Sequence, residues 1–239
     1  MTNWAEIRHC YGAAEDIPAL LAALTPNIAD ETWHELWSRV CHQGSVYAAS
    51  AAVLPELLAL ARAWTPADRV APLTLAGAIV SSSDPSPDFD IAPFRADIDA
   101  LALLAIETIT AARWSQIDLI HLLQAAAGLQ GHSLWGNQLD RLGDGEYFHG
   151  VCPACEAELE TELGIAPGHL RLEGSRSHTT ISPIDVKDLD GIGLQLHELA
   201  SKAGHPEVAR RLRDVFGQAP CPACGERIAV DEAIAIADA

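Results

Sequence analysis

The chain has 239 residues, 49% of them hydrophobic and 20% charged, so it can bury a substantial core and is not a disordered chain. Its net charge of −18 opposes direct binding to nucleic acid, because an acidic field repels phosphate backbones. The N-terminus has no basic stretch before an apolar run, and no apolar stretch reaches the roughly 18 residues of a membrane span, so we expect a cytoplasmic protein.

The N-terminal half repeats a short proline-centred pattern. Pro18, Pro55 and Pro93 lie 37 and 38 residues apart, and the first two are each followed by a Leu-Leu pair at the same offset. A period near 40 residues with two helices per unit is typical of HEAT and armadillo arrays. The sequence therefore predicts a mainly α-helical fold, with a HEAT-like or armadillo-like α-solenoid over residues 1–144.

The second helix of the first unit is visible in the stretch at residues 30–44. Its apolar residues recur at helical spacing, with Asp30 suited to the N-cap and Gly44 suited to the position after the helix. We expect the stripe to face the core, and we also expect Cys10 and Cys41 to behave as small buried apolar residues. The stripe consists of Trp33, Leu36, Trp37, Val40 and Cys41.

Two helix corners resemble each other, at residues 42–47 and 129–136. In each, a Gln-Gly pair precedes a serine, an aliphatic residue and an aromatic residue, which suits a helix stop followed by the cap of the next helix. Turn geometry alone accounts for the glycines and serines. It does not demand the histidines and aromatic residues, which we consider as candidate binding residues: His42, Tyr47, His132 and Trp135.

Four of the six cysteines form two copies of the tetrapeptide Cys-Pro-Ala-Cys. A redox dithiol needs only one such pair, whereas two pairs supply four thiolates for a tetrahedral zinc ion. A rubredoxin-like iron site or a redox pair are the alternatives, and a disulfide framework is disfavoured in the cytoplasm. We predict one structural zinc per chain, bound by Cys152, Cys155, Cys221 and Cys224. Gly225 suits the tight turn after the second pair, and Glu156 at the matching place departs from the pattern.

The flanks of the cysteine pairs predict a small antiparallel β module over residues 145–239. Residues 156–163 alternate strictly between glutamate and less polar side chains, which indicates a half-buried strand. The row of glutamates could dock a basic partner, or it could solvate an exposed face and guard a sheet edge. Between the cysteine pairs, residues 184–217 predict an inserted helical hairpin with a turn at Gly204.

The stretches at residues 11–25 and 41–61 resemble the N-terminal region of bacterial, actinobacterial-type HEAT-like repeat proteins. The resemblance spans roughly residues 10–145, and the paired cysteine turns resemble the C-terminal part of some of these chains. It implies a helical-repeat fold, and some of the similar proteins are suspected immunity or interaction proteins. No catalytic residues come with the resemblance.

Three functional hypotheses follow from these patterns. The first is a non-catalytic, zinc-stabilised scaffold that binds a basic protein, because an acidic solenoid offers a long complementary surface. The second is an enzyme with a pocket near His42 and His132, although no nucleophile elbow, phosphate loop, dinucleotide fingerprint or metalloprotease helix is present. The third, a zinc protein that binds nucleic acid, is opposed by the net charge.

Overall fold

The computed structural model describes residues 2–143, 145–164 and 166–238, and it is mainly helical with small sheets. The chain divides into two compact units. One comprises Met1–Trp114 with His121–Asn137, and the other comprises Ser115–Ile120 with Gln138–Ala239. The predicted domain boundary at residue 144 lies outside the described residues.

Helices separated by a few two-residue strands make up the first part of the chain. The elements are β1 Arg8–His9, β2 Gly12–Ala13, α1 Ile17–Ala23, α2 Glu31–Val40, β3 Ser45–Val46, α3 Ala48–Ala52, α4 Leu54–Ala63, α5 Val70–Ser81, β4 Asp84–Pro85, α6 Arg95–Ala111, α7 Gln116–Leu129 and α8 Ser133–Gln138. β1 and β2 form an antiparallel hairpin, whereas β3 and β4 pair in parallel over two residues.

The three repeated prolines all lie at helix starts. Pro18 and Pro55 occupy the first turns of α1 and α4, and Pro93 lies in a 3₁₀ turn directly before α6. Proline suits these positions because the first amides of a helix have no intrahelical acceptor. α1 packs on α2, and α4 packs on α5 and on α6.

The predicted apolar stripe of α2 faces the core. Trp33, Leu36 and Val40 are buried, as is Cys41 immediately after the helix, while Trp37 is half-buried. The indole of Trp33 donates a hydrogen bond to the backbone carbonyl of Thr25. The stripe is therefore a packing surface, as the spacing predicts.

Small residues allow the later helices of this unit to approach closely. A Cβ added at Gly77 would lie 2.6 Å from the Cα of Ala125, a distance that real side chains do not reach. Added Cβ atoms at Gly128 and Gly136 would both collide with the hydroxyl of Ser81. Glycine at these positions is required by backbone contact between α5, α7 and α8.

The predicted helix caps are only partly right. Asp30 is the residue before α2, but its carboxylate accepts hydrogen bonds from Thr25 and Asn27 instead of capping the helix amides.

The serines of the two similar corners are not helix caps. Ser45 lies in β3, two residues before the actual N-cap Tyr47, and Ser133 is already the first residue of α8. Gly44 and Gly131 adopt the positive φ that suits a chain reversal.

The second part of the chain carries a four-stranded antiparallel sheet. Its elements are β5 Tyr147–Val151, β6 Glu158–Glu162, β7 His169–Leu172, β8 His178–Thr180, α9 Gly191–Lys202, α10 Pro206–Val215, β9 Gln218–Pro220, β10 Arg227–Ala229 and α11 Val230–Ala237. The sheet order is β5-β6-β7-β8, and β9 with β10 forms a separate hairpin. α9 and α10 pack on each other and are the two helices of the predicted insertion.

The alternation predicted for β6 is confirmed, but its position is not that of an edge strand. Leu159, Thr161 and Leu163 are buried, while Glu158 is exposed and Glu160 is half-buried. Because β6 pairs with β5 on one side and β7 on the other, the glutamates do not guard an edge. They lie on the outward face of an internal strand.

Backbone bonds and close packing attach the β9–β10 hairpin and α11 to this sheet. Ser182 and Gln218 exchange two backbone hydrogen bonds of 2.8 and 3.0 Å. A Cβ at Gly150 on β5 would lie 3.3 Å from the backbone of Ala233, so α11 packs directly against that strand. None of the helices among the described residues is long and apolar enough to span a bilayer.

Candidate metal centre

The two cysteine pairs lie in the turns of two β-hairpins. Cys152 and Cys155 lie between the end of β5 and the start of β6, and Cys221 and Cys224 lie between β9 and β10. Hairpin turns project from the ends of their strands, so the paired strands place each dithiol at a fixed position. The two turns belong to segments far apart in sequence and meet in the fold.

Both turns have the same backbone hydrogen bonds. In the first, the Cys152 amide donates to Ala157 at 3.0 Å, and the Glu156 amide donates to Cys152 at 2.9 Å. In the second, the Cys221 amide donates to Glu226 at 2.7 Å, and the Gly225 amide donates to Cys221 at 2.8 Å. The two tetrapeptides therefore fold into equivalent turns.

Glu156 adopts the conformation that its glycine counterpart adopts. The φ angles are +59° for Glu156 and +80° for Gly225, both in the left-handed region. The sequence departs from the pattern at residue 156, but the backbone does not.

The four sulfur atoms converge in the space between the turns. Cys152 Sγ lies 4.0 Å from Cys224 Sγ, Cys155 Sγ lies 3.9 Å from Cys221 Sγ, and all four atoms lie within 4.8 Å of one another. A tetrahedral ion with sulfur ligands at about 2.3 Å needs sulfur–sulfur separations of about 3.8 Å. The arrangement could therefore hold a metal ion after small movements of the side chains.

The surroundings of Cys152 favour its thiolate. Burial of this sulfur opposes ionisation, but backbone amides of Ala154 and Cys155 donate toward it and bring the pKa of the Cys152 thiol to about 7. Burial also raises the pKa of Cys221, and its neighbouring thiols add to that rise. The Cys152 thiol therefore ionises more readily than an ordinary cysteine, which favours binding of a cation.

The other two cysteines lie outside this cluster. Cys41 is buried, as predicted, and burial raises the pKa of its thiol to about 11. Cys10 is half-buried, and its thiol hydrogen-bonds with Tyr47, which raises the pKa of the tyrosine. Cys10 is therefore not simply an apolar packing residue.

The four candidate binding residues lie in different environments. His132 is exposed, and His42 and Tyr47 are half-buried. Trp135 is only 6% exposed, so its ring is not offered to a partner. The two corners share positive-φ glycines but not an exposed aromatic residue.

Around His42 and Tyr47 the structure places polar residues that the sequence analysis missed. The Tyr11 hydroxyl lies 3.1 Å from His42 Nδ1, and the two rings meet edge to face at 5.5 Å between centroids. The Ser45 hydroxyl donates to the Asp84 carboxylate. We call the set Tyr11, His42, Tyr47 and Asp84 the aromatic corner. Tyr11 lies in the two-residue loop between β1 and β2, and no periodic pattern in the sequence predicts this hairpin.

The buried histidine His9 lies next to the aromatic corner. The Tyr11 amide donates to His9 Nδ1 at 3.0 Å, so His9 Nε2 carries the proton and donates to Asp16 at 3.0 Å. Arg39 Nε donates to the other Asp16 oxygen at 2.6 Å. Partial burial alone would raise the pKa of Asp16, but the hydrogen bonds from Arg39 and His9 outweigh it and lower the pKa.

A shallow groove of about 390 Å³ lies between α1 and α4, and it is mostly apolar. Trp4, Leu21 and Leu60 contribute to its lining, and Glu56 is its charged residue. Neither His42 nor His132 lines it. The groove therefore gives no support to an enzyme pocket at those histidines.

No family model matches this chain, and neither the curated proteins nor the solved structures contain a significant match.

Proposed function

We propose that this protein is a non-catalytic scaffold, stabilised by one structural zinc ion, that binds a basic protein partner. The convergence of four cysteine sulfurs within 4.8 Å carries the zinc part of the proposal. Four thiolates fill a tetrahedral coordination sphere and leave no open position for substrate, which is typical of structural zinc sites. Iron would accept the same ligands, and elemental analysis of the purified protein distinguishes iron from zinc.

Bound zinc would join the turns of two hairpins that are far apart in sequence. The ion would tie the β5–β6 turn to the β9–β10 turn across 66 residues of sequence. Since α11 follows β10 directly and packs on β5, this connection would also hold the C-terminal helix in place. Metal binding of this kind is part of the folding free energy.

The metal content of the purified full chain tests this part. We expect one zinc per chain by elemental analysis, and we expect Cys221→Ser to lose it because the loss of one of the four zinc–thiolate bonds weakens the site. Cys10→Ser is the matched control, since Cys10 lies outside the cluster, and it should retain the metal. Iron at the site, or zinc retained by Cys221→Ser, would contradict the proposal.

The partner part rests on the acidic charge and on the aromatic corner. The net charge of −18 attracts basic proteins and accelerates their encounter. Tyr11 is 62% exposed and lies against His42, and the Asp84 carboxylate accepts a hydrogen bond from Ser45, which pairs with His42 in a β-bridge. Aromatic faces with a nearby carboxylate suit a lysine or arginine side chain. We further propose that α1–α2 and α4–α5 are successive units of a HEAT-like array that presents this corner.

Affinity purification followed by binding measurements tests the partner proposal. We expect a basic protein, with affinity that falls as salt rises, because attraction between exposed charges is screened over about 10 Å at moderate ionic strength. Tyr11→Ala and Tyr47→Ala should each weaken binding several-fold, whereas Thr110→Ala, at an exposed site on α6, should not. Salt-independent binding, or equal loss in all three variants, would contradict this role for the corner.

A further inference from the structure

We propose that the outward face of the sheet carries a second cation site, formed by His149, Glu160 and Glu173, for a divalent transition ion such as Zn²⁺ or Ni²⁺. One ligand atom from each residue can be chosen so that all three lie within 4.8 Å of one another. The site is separate from the four cysteines and does not depend on the zinc proposed there.

Strand pairing fixes the three residues relative to one another. His149 on β5 lies directly opposite Glu160 on β6, and Glu160 lies opposite Arg171 on β7. The amide of Glu173, two residues after Arg171, donates to the carbonyl of Glu158 at 3.0 Å. Opposed side chains on one face of an antiparallel sheet point the same way, so the ligand set stands on a rigid platform.

Arg171 positions Glu160 while leaving one of its oxygens available. Both hydrogen bonds from Arg171, from Nε at 2.9 Å and from Nη2, end on Glu160 Oε2. Among the described residues, Oε1 accepts no hydrogen bond. The guanidinium itself lies 5.1 Å over the Tyr147 ring. Carboxylates that bind metals are commonly held in this way by an outer layer of hydrogen bonds.

The remaining two ligands have no competing partner. Within the part of the chain that the structure describes, the side chains of His149 and Glu173 make no hydrogen bond or ion pair, and both are exposed. Two carboxylates this close repel each other, and one arginine neutralises only half of their charge. A bound cation would offset the negative charge that remains.

The ligand types select the class of ion. An imidazole nitrogen together with carboxylate oxygens suits zinc, nickel or cobalt, whereas magnesium and calcium prefer oxygen alone. Zinc bonds of about 2.0–2.2 Å would require the ligand atoms to approach to about 3.4 Å, which exposed side chains can reach by rotation. Three protein ligands leave at least one coordination position for water or an external group.

The test is calorimetric titration of the full chain with Zn²⁺, after the tightly bound metal has been counted by elemental analysis. We expect one further equivalent, bound at least tenfold more weakly by His149→Ala and by Glu173→Gln. His34→Ala is the matched control, because His34 is also an exposed histidine and lies on α2, outside the sheet. It should bind the further equivalent as the unaltered chain does.

Two results would overturn the proposal. One is the absence of any further equivalent in the unaltered chain. The other is equal weakening by His149→Ala and His34→Ala, which would mean that the ion binds surface histidines without a defined site. Failure of the cysteine zinc proposal would change only the count made before titration, so the two failures are distinguishable.

Discussion

At the scale of single residues, the two cysteine turns offer a natural comparison. Glu156 and Gly225 occupy equivalent positions and both have positive φ. A side chain in this region costs about 1–2 kcal/mol, and glycine avoids that cost. The first turn therefore has a strained position that the second turn lacks.

We expect opposite effects from exchanging the residue types at these two positions. Gly225→Ala should destabilise the protein by about 1 kcal/mol, because an added Cβ meets no atom within 4 Å and the cost is conformational alone. Glu156→Gly should leave stability unchanged or raise it by up to about 1 kcal/mol. Urea unfolding of the metal-loaded chain measures both, and a loss of stability in both variants would show that the turns are not equivalent.

Some residues of the candidate sites could be predicted from the sequence, and others could not. The four cysteines were identifiable because each pair is a local tetrapeptide that appears twice. Their meeting point, the positive φ of Glu156 and the contact of Tyr11 with His42 depend on segments distant in sequence. The His149, Glu160 and Glu173 set depends on strand register, which the alternation of β6 alone does not determine.

At the scale of elements, Asp16 links the start of α1 to the end of α2. Its carboxylate accepts hydrogen bonds from Arg39 on α2 and from His9 on β1. Because the Asp16 pKa is lowered in the folded state, its contribution to stability is present above the unfolded pKa of about 3.9 and is lost as pH falls through the folded value. The carboxylate side chain is 44% exposed, so solvent screening limits this contribution.

Asp16→Asn should therefore destabilise the protein by about 0.5–1 kcal/mol at pH 7, and the difference should shrink below about pH 4. Urea unfolding at pH 7 and pH 3, followed by circular dichroism, measures it. Asp99→Asn is the matched control, because its pairing with Arg95 on α6 is more than half exposed at both side chains. A pH-independent loss, or an equal loss in the control, would contradict the linkage.

Element starts were more predictable than element caps. The prolines mark the beginnings of α1 and α4 because fixed φ and a missing amide suit the first helical turn. The cap predictions failed because serine and aspartate side chains have several possible hydrogen-bond partners. Asp30 accepts hydrogen bonds from Thr25 and Asn27, and Ser45 donates one to Asp84. Which partner a short polar side chain selects depends on tertiary neighbours.

At the scale of the whole molecule, the candidate metal centre belongs entirely to one unit. All four cysteines lie in Gln138–Ala239, whereas the helices α1 to α6 lie in the other unit with their own buried core. Structural zinc contributes on the order of 10 kcal/mol, comparable with the total stability of a domain. Metal removal should therefore affect the two units unequally.

We expect chelation to remove hydrogen-exchange protection from residues 147–172 and 218–237, while residues 54–81 keep most of theirs. The sheet and the β9–β10 hairpin would lose the connection through the cysteines, whereas α4 and α5 pack on each other and on α6 without it. Exchange followed by mass spectrometry, with and without chelator, measures this peptide by peptide. Re-addition of zinc should restore protection in the unaltered chain but not in Cys221→Ser, which separates metal loss from a direct effect of the chelator. Equal loss of protection in both units would mean that they unfold as one cooperative body, and the metal would then stabilise the entire protein.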